Sequence, residues 1–522
     1  MEKKLSRVKA AIGVPLLMFA TGLTLLLLFV NSSSGDFINY YFGSYFLQKG
    51  LFTASIYEPI DFNLLIGHYF KEPYFGNYTP VPPVTAILLY PFAWLPFYVA
   101  KAAFEFLTLL LFCVSLGRLL KQLDAEHIFL WALPIVFLIP LKSNFEQGQL
   151  YLLVNSLLIE AYLYNQKKKA VITGALLGFA IALKFFPAIA LLYLLSKRNW
   201  NTVFMTLVFF IAFSIAPILF LKGDITQEYF TKILPRLMVG EINDPYATAY
   251  QSMSVLLKKI FVYDQLLNPS TTLYLPVIYR ALNALFSLGV LASIILLTRK
   301  TSDSWFSFSV VLLGGVLLSG YGTTYGLLLL MPFAISLCTQ QKINACRILI
   351  LALVCLLPAQ WSISIPVAIQ FPRLWLLILL LITILYQKKK AMALIPVGFL
   401  VILTVTLFFS RQINTTPFKD NYALSSQKDL LLYDYIIKND SIQLSYYTHE
   451  GIRKEKVCFD ATNAVSQAAL IDNNHIVINH DTIHYNRCRI RKATVFPKLK
   501  KVLYLSDEKR GVGFYTLRWL NW

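Results

Sequence analysis

The stretch that decides the fold is AIGVPLLMFATGLTLLLLFVNSSSGDFINYY, residues 11–41. Residues 11–30 carry no charge, and an apolar run of this length spans the hydrocarbon core of a bilayer as a helix. A helix bonds its own backbone groups, as a lipid environment requires. Because the run is long and no small-residue cleavage site follows it, we interpret it as a retained membrane span rather than a signal peptide.

Apolar runs of similar character recur along the chain. Of the 522 residues, 57% are hydrophobic and only 14% are charged, whereas a soluble domain carries roughly 25% charge. Clear examples lie at residues 200–221, 374–386 with its flanks, and 391–410. The sequence therefore predicts an all-α polytopic membrane domain over residues 1–410, with about thirteen transmembrane helices.

The positive charge has a position-dependent pattern. Much of the net charge of +20 sits in short clusters between apolar runs, for example at residues 3–9, 167–169 and 388–390. Such clusters mark cytoplasmic loops. They predict a multi-pass plasma (inner) membrane protein with a cytoplasmic N-terminus, and they argue against a nucleic-acid partner. Residues 80–98 are apolar but rich in proline, and we predict a proline-broken segment at the outer leaflet rather than a full span.

The tail, residues 411–522, has a different composition. Polar and apolar residues alternate in it, and Asn-Asp and Asn-Asn pairs provide turns. We expect a small α+β or mostly β domain on the extracytoplasmic face. Cys458 and Cys488 lie in this tail, where a disulfide between them is one of two open outcomes.

The first outer loop, residues 31–79, is longer than a simple connector and is therefore a candidate functional segment. Asp36 lies a few residues beyond the first span. A carboxylate at the membrane surface suits a general base, because partial desolvation raises its pKa. The alternative is a helix N-cap, since Gly-Asp precedes an aromatic helical stretch. Further along, Tyr57 and Tyr78 belong either to an interfacial aromatic belt or to a platform for a sugar or prenyl chain.

Other outer segments carry further polar candidates. Asn144 and Gln147 are three residues apart and suit sugar hydroxyls, or else hydrogen bonds between helices. Lys184 interrupts two apolar runs, where a lipid phosphate would pair with it, unless it extends to the interface. Gln251 and Ser252 are candidates for substrate contact. The neighbouring Lys258 and Lys259 are expected to contact lipid headgroups.

Taken in order, these pieces resemble glycosyltransferase family 87 of the GT-C superfamily, whose members use polyprenyl-phosphate sugars, typically polyprenyl-phosphate mannose. The matching pieces span residues 34–254. They are Asp36-Phe37 with Tyr40, Gly50 and Tyr57; Tyr78 with Pro80 and Pro82-Pro83; Asn144 with Gln147-Gly148-Gln149; Lys184 with Pro187; and Tyr250-Gln251-Ser252. Residues 319–325 contain no histidine, although family members often carry one near the outer end of a late span.

The resemblance implies a membrane hexosyltransferase that moves mannose from a polyprenyl-phosphate donor to a lipid or glycan acceptor on the extracytoplasmic face. It implies that Asp36 is the general base and that the anomeric centre is inverted. Lys184, helped by Arg236, would bind the donor phosphate. Substrate contacts are expected from Tyr40, Tyr57, Tyr78, Asn144, Gln147, Gln149, Gln251, Ser252 and Tyr325.

No cofactor is expected, and no metal is required for a monophosphate leaving group. Glu58 and Asp61 are the alternative as metal ligands, since some GT-C enzymes use a metal. The sequence lacks the common zinc and nucleotide-binding motifs. Two rival functions stay open at this point, a transporter or flippase of lipid-linked sugars and a noncatalytic cell-envelope assembly protein.

Overall fold

The computed structural model describes most of the helical part of the chain and pieces of the tail. The described residues are 2–32, 35–70, 74–220, 223–238, 240–241, 244–269, 271, 274–340, 344–360, 365–388, 390–410, 423, 431–438, 441–448, 451–458, 467–468, 470–472, 475–478, 481–485, 488–508 and 510–521.

Helices dominate from the N-terminus to residue 410. The first ten are α1 Glu2–Phe29, α2 Phe37–Gln48, α3 Pro59–Tyr69, α4 Val84–Leu88, α5 Phe97–Gln122, α6 Leu133–Val136, α7 Leu138–Gln147, α8 Tyr151–Gln166, α9 Ala170–Leu183 and α10 Ala190–Ser196. The remainder are α11 Trp200–Phe220, α12 Gly223–Glu228, α13 Leu234–Met238, α14 Met253–Phe261, α15 Pro276–Lys300, α16 Ser304–Leu318, α17 Met331–Thr339, α18 Ala345–Leu356, α19 Pro372–Lys388 and α20 Leu394–Ser410.

Within the described part of the chain, four helices are long and apolar enough to cross a membrane. They lie at Lys9–Phe29, Phe97–Gln122, Trp200–Leu219 and Pro276–Lys300. A bent pair, Ile128–Val136 and Leu138–Gln147, meets at 42° and would add a fifth span. Further apolar helices of 10–17 residues accompany them. The chain is therefore a predominantly helical membrane protein, while the expected count of about thirteen spans stays a prediction.

Close helix packing depends on small residues, as is common in membrane proteins. Helix α9 lies along α11 at two glycines. A Cβ atom at Gly174 would come within 2.6 Å of the Met205 Cβ, and one at Gly178 within 2.7 Å of the Phe210 backbone nitrogen. The interface would have to open to accept any side chain there, so the glycines set the distance between the two helices.

The proline-rich segment is broken, as predicted. Helix α4 ends at Leu88, and a 3₁₀ turn follows at Tyr90–Trp94 before α5 begins at Phe97. The long first outer loop is also ordered, since it contains α2, a 3₁₀ turn at Ala54–Tyr57, and α3. Its folded core is aromatic, because Phe42, Phe46 and Tyr78 are all buried.

In the tail, the described residues form antiparallel strands and one 3₁₀ turn, which favours the mostly β alternative. The strands are β1 Leu431–Lys438, β2 Ser441–Thr448, β3 Gly451–Cys458, β4 Gln467–Ala468, β5 Leu470–Asp472, β6 His475–Ile478, β7 Asp481–Tyr485, β8 Ile490–Phe496, β9 Lys501–Ser506 and β10 Thr516–Asn521. They pair in the orders β1-β2-β3, β10-β9-β8-β4 and β5-β6-β7. The side chain of Cys458 lies outside the described residues, so the disulfide stays a prediction.

The tail packs against the first outer loop rather than standing apart. Ile60 of α3 is fully buried in the same apolar cluster as Leu444, Leu503 and Leu505 of the sheets. A Cβ atom at Gly513 would come within 2.2 Å of the Pro59 ring. This contact places the β strands beside the loop that carries Asp36.

Candidate active site

Asp36 occupies the N-cap position of α2 but does not cap it. Its backbone is helical, with φ −72° and ψ −16°, and its side chain accepts no hydrogen bond from the first turn of the helix backbone. A capping residue normally has an extended backbone and accepts from a backbone N–H two or three residues on. The Asp36 side chain therefore does not cap α2, contrary to the alternative given above. Its carboxylate instead bonds to other side chains.

The Asp36 carboxylate lies in a buried hydrogen-bond network. Gln149 donates its amide N–H to Oδ2, and Tyr325 donates its hydroxyl to the same oxygen at 3.4 Å. Asn39 donates to Oδ1 at 3.4 Å. The Gln149 carbonyl in turn accepts the hydroxyl of Tyr40 at 2.9 Å. Three residues predicted to contact substrate, Tyr40, Gln149 and Tyr325, thus gather around the predicted base.

Burial and charge act in opposite directions on Asp36. Burial raises the pKa of the carboxyl group above its ordinary value, whereas the Lys184 charge and the bonds from Gln149 and Tyr325 lower it. Burial has the larger effect, so the pKa is raised overall. A carboxylate with a raised pKa is a stronger base than an exposed one, which is what proton abstraction from a hydroxyl group needs.

Lys184 faces this carboxylate from the end of α9. It follows the last residue of that helix in an extended conformation, with φ −148° and ψ 124°. Its Nζ lies 5.7 Å from the ring centroids of both Tyr40 and Tyr151. Within the described part of the chain no hydrogen bond or ion pair within 4 Å engages its ammonium group. Two aromatic faces therefore hold a cation that keeps its donors available for an anion.

Two glycines allow the loops of the site to meet. Gly35 has φ +128° and Gly148 has φ +64°, values that favour glycine. A Cβ atom at Gly35 would come within 2.8 Å of the Gln147 Cα, and one at Gly148 within 2.4 Å of the Phe37 Cβ. This close approach of the two backbones brings Asp36 next to Gln149.

Lys101, which was not among the residues predicted from the sequence, bonds to both of the loops that carry Asp36 and Gln149. It is 1% exposed on α5. Its ammonium donates to the carbonyls of Phe29 at 3.0 Å, Ser32 at 3.4 Å and Glu146 at 3.2 Å. These carbonyls precede Asp36 and Gln149 in the chain, so Lys101 ties the end of α1 to the end of α7. A charged residue inside an apolar helix was the signal that would have identified it.

A large cavity adjoins the site. Its volume is about 1210 Å³, and Lys184 lines it together with Phe185, Phe186 and Tyr229. Pro80 and Pro82 of the proline-rich segment also line it. A cavity of this size, with aromatic walls and a cation, suits an amphiphile with an anionic headgroup.

The remaining predicted tyrosines are core residues. Tyr57 and Tyr78 are both fully buried, with ring centroids 5.5 Å apart. The Tyr57 hydroxyl donates to the Val81 carbonyl at 3.2 Å. Their burial does not fit an exposed interfacial belt, and it makes them supports of the first outer loop.

The amides of the next outer turn differ in environment. Asn144 is fully buried, and neither polar atom of its side chain has a hydrogen-bond partner within the described residues. Gln147 is only partly buried, and its backbone contacts Gly35. Asn144 therefore retains hydrogen-bonding capacity close to the site, as a sugar-binding residue would.

Backbone carbonyls accept hydrogen bonds from the Gln251 amide N–H group and the Ser252 hydroxyl, while the Gln251 side-chain oxygen has no partner among the described residues. The Gln251 amide donates to the carbonyls of Thr248, Ala359 and Gln370 at 2.7–3.0 Å. Ser252 caps α14 and donates to the Gly320 carbonyl at 2.8 Å. The structure thus gives both residues a role in holding loops together.

Arg236, Glu58 and Asp61 lie in ion pairs with the tail. Arg236 bonds to Asp507 at 2.8 Å and to Glu241 at 2.7 Å. Glu58 pairs with Arg489 at 2.6 Å and accepts the Tyr515 hydroxyl at 2.8 Å. Asp61 lies 3.6 Å from Arg491. The structure does not bring these three residues into the Asp36 network, and it gives the two carboxylates cationic partners from the protein itself.

Part of the chain matches the sequence model of a known protein family. Glycosyltransferase family 87 matches residues 78–332, a region that includes Gln149, Lys184 and Tyr325 but begins after Asp36. No solved structure significantly matches the chain.

The curated relatives are mycobacterial. One is the polyprenol-phosphate-mannose-dependent alpha-(1-2)-phosphatidylinositol mannoside mannosyltransferase of Mycolicibacterium smegmatis, 32% identical over 29% of this chain and 38% of its own length. Another is the corresponding phosphatidylinositol pentamannoside mannosyltransferase of Mycobacterium tuberculosis, 29% identical over 49% of this chain and 57% of its own length. The matches thus span about half the length of these relatives or less. On these matches, the chain is similar to members of glycosyltransferase family 87 over residues 78–332, slightly less than half of its length.

Proposed function

We propose that this protein transfers mannose from a polyprenyl-phosphate donor to a lipid-linked glycan acceptor. The observation that carries the proposal is the Asp36 carboxylate, buried between Gln149 and Tyr325 and facing Lys184 at the edge of a cavity of about 1210 Å³. The names of the curated relatives supply the donor and the acceptor class.

In this proposal the donor lies with its prenyl chain against the apolar and aromatic wall of the cavity. Its phosphate pairs with Lys184, whose ammonium has no other anion within bonding distance among the described residues. The sugar then extends toward Asp36 and the Gln149 and Tyr325 side chains that bond to it. This arrangement would place the anomeric carbon beside the base, and proximity of this kind is a large part of catalysis.

The chemical step is a direct displacement. The acceptor hydroxyl donates a hydrogen bond to Asp36, and its oxygen attacks the anomeric carbon as Asp36 takes the proton. The bond from the anomeric carbon to the phosphate oxygen breaks, and the electron pair leaves with the prenyl phosphate. Lys184 stabilises the negative charge that develops there. One displacement inverts the anomeric configuration.

The same proposal includes the membrane topology. The N-terminus is cytoplasmic, and the site and the tail are extracytoplasmic, as the charge pattern of the loops predicts. Residues 1–410 form the catalytic membrane domain with the first outer loop at residues 31–79, and residues 411–522 form the outer domain. Ion pairs between Arg489 and both Glu58 and Glu228 support placing the outer domain on that face.

The test is a transfer assay with the purified protein in lipid nanodiscs, using synthetic polyprenyl-phosphate mannose and a membrane lipid extract as acceptor. Asp36→Asn removes the base and leaves the shape, so we expect transfer to fall by roughly 10²–10⁴-fold while donor binding persists. Asp61→Asn is the matched control, because Asp61 is 38% exposed and remote from the network, and it should transfer like the wild type.

Other results would point elsewhere. Wild-type protein that binds donor but transfers nothing would contradict the enzyme proposal and favour a flippase. An Asp36→Asn variant as active as Asp61→Asn would retain the enzyme and overturn the assignment of the base.

A further inference from the structure

A second set of cations lines the cavity away from Asp36. Lys258 of α14 and Arg280 of α15 both line it, as do the hydroxyl of Ser254 and the amide of Asn283. Ser254 lies one turn before Lys258, and Asn283 lies three residues after Arg280, so each pair shares a helix face. The Ser254 hydroxyl lies 3.1 Å from the hydroxyl of Tyr279, which joins the two helices at this wall.

Neither cation is neutralised by the protein in the part of the chain that the structure describes. The Lys258 ammonium donates one hydrogen bond, to the Gly240 carbonyl at 3.3 Å. The nearby Glu241 carboxylate already bonds to Arg236 at 2.7 Å. No carboxylate lies within 4.0 Å of Arg280 among those residues, and the Arg280 side chain is exposed to the cavity.

The Lys258 amine is also partly desolvated. Burial lowers its pKa to about 8, against an opposing effect of the Glu241 charge. The Lys258 ammonium has lost part of its hydration, and no carboxylate among the described residues forms an ion pair with it within 4.0 Å, so an anion that entered the cavity would supply hydrogen-bond acceptors and an opposite charge. Apolar side chains such as Leu237, Val262 and Phe286 line the same space, together with several tyrosines and with Glu241, whose carboxylate is paired with Arg236. Polar groups beside apolar ones suit an amphiphile with a phosphate headgroup.

We propose that Lys258 and Arg280 form a second lipid-phosphate site in the cavity, distinct from the one at Lys184. This inference rests on the proposed function, because a transferase with two lipid-linked substrates must hold two amphiphiles at once. The second site binds the phosphate of one of these lipids, with Ser254 and Asn283 contacting its hydroxyl groups. The lipid's chains lie along α14 and α15.

The experiment measures equilibrium binding of two labelled probes to purified protein in phosphatidylcholine nanodiscs. Farnesyl phosphate represents the donor headgroup, and phosphatidylinositol represents a phospholipid acceptor. The variants are Lys258→Met, Arg280→Met and their combination. Lys259→Met is the matched control, because it removes the same charge from the adjacent residue, which does not line the cavity. The two single variants keep the test decisive if the double variant does not fold.

We expect the Lys258 and Arg280 variants each to weaken binding of one probe by about tenfold, as for loss of a charge-assisted hydrogen bond. Lys259→Met should bind both probes like the wild type. An effect on phosphatidylinositol assigns the site to the acceptor, whereas an effect on farnesyl phosphate assigns it to the donor and contradicts the placement of the donor phosphate at Lys184. Affinities equal to those of Lys259→Met for both probes would overturn the inference.

Mannose transfer by the same samples separates this inference from the proposed function. A wild type that transfers mannose, with variants that bind both probes normally, contradicts the second site and leaves the transferase intact. A wild type whose probe binding depends on Lys258 and Arg280, but which transfers nothing, retains the site and contradicts the transferase.

Discussion

Arg236 with Asp507 and Lys184 with Asp36 are two buried groups of a cation and a carboxylate. They differ in how many hydrogen bonds the protein makes to the cation. At the tail, each of the three guanidinium nitrogens of Arg236 donates at least one hydrogen bond. Its Nε bonds to Glu241, one terminal nitrogen bonds to Asp507, and the other bonds to the carbonyls of Asp507 and Arg510 at 3.0 and 3.1 Å. At the proposed active site, Lys184 has two aromatic rings around it and a carboxylate in the vicinity, but no bonded acceptor among the described residues.

The difference separates a group that holds the fold from one that awaits a ligand. A guanidinium whose three nitrogens are all bonded within the protein, as in Arg236, would have to give up bonds already made in order to bind a phosphate through two of them. An ammonium that is buried and unbonded costs free energy in the empty protein, and it recovers that free energy when an anion arrives. On this contrast we propose that Lys184 binds the donor phosphate without the predicted help of Arg236, and that Arg236 attaches the tail.

The largest expected effect on stability comes from the satisfied group. Asp507 is fully buried, and its carboxylate also accepts the backbone N–H groups of Arg489 and Gly513 at 2.8 Å. Asp507→Asn leaves the Arg236 charge without its main counterion, and breaking a buried pair in this way costs about 3–5 kcal/mol. Urea titration of the purified protein, followed by limited proteolysis of the tail, measures the loss.

An exposed ion pair between two strands of the tail, β1 and β8, provides the control. Asp434 and Lys492 lie 2.8 Å apart, but both are about two-fifths exposed, at 40% and 39%. Asp434→Asn should therefore cost less than about 1 kcal/mol. Equal losses for the two variants would contradict the view that burial gives the Arg236 group its structural role.

The unsatisfied group should show the opposite behaviour. Lys184→Met removes the proposed phosphate partner, so donor affinity should fall about 10–100-fold, as for a lost charged hydrogen bond. The free energy of unfolding should fall far less than in Asp507→Asn, because Lys184 makes no hydrogen bond or ion pair within 4 Å among the described residues and loses only its contacts with two rings and the longer-range charge of Asp36. Lys142→Met is the control, since Lys142 also lies over an aromatic ring, that of Phe29 at 5.3 Å. Its donor affinity should equal that of the wild type.

The sequence predicted the parts of the site that local chemistry makes visible. An uncharged run followed by Gly-Asp placed a carboxylate just outside a helix, and a lysine between apolar runs identified Lys184. The helices at residues 11–30 and 200–221 also follow from hydrophobic length alone. These features depend on residues that are adjacent in the sequence and on the thickness of the membrane, so they can be predicted from one sequence.

The sequence could not separate Arg236 from Lys184, because the residue that decides the matter is distant. Asp507 lies 271 positions from Arg236, and no local pattern indicates that pair. The structural contacts of Gln251 could not be predicted for the same reason, since its partners Ala359 and Gln370 lie 108 and 119 positions away. The role of Lys101 likewise depends on distant residues, because the three carbonyls that it bonds to lie at the ends of two other helices. Long-range partners determine whether a polar residue in a membrane protein is structural or available.

The smallest expected effects are shifts in the pH dependence of transfer, and they concern the Asp36 carboxylate. Asp36 must be ionised to act as a base, and burial raises its pKa. The rate constant kcat/KM should therefore be level at high pH and fall below that raised pKa. Gln149→Leu removes a hydrogen bond that lowers the pKa, so the acidic limb should move to higher pH. Tyr325→Phe should move it less, because its bond is longer, at 3.4 Å.

The same raised pKa fixes the sign of a stability effect. A carboxyl whose pKa is higher in the folded protein than the unfolded value of about 3.9 binds more protons when folded. Its contribution to stability is therefore complete below that value and is lost as pH rises through the folded pKa. Asp36→Asn does not ionise and avoids this loss. At neutral pH it should unfold at a higher urea concentration than the wild type, whereas Asp507→Asn should unfold at a lower one. A lower midpoint for Asp36→Asn would mean that the protein is built to hold an ionised Asp36, as it is for Asp507, and would remove the distinction between the two sites.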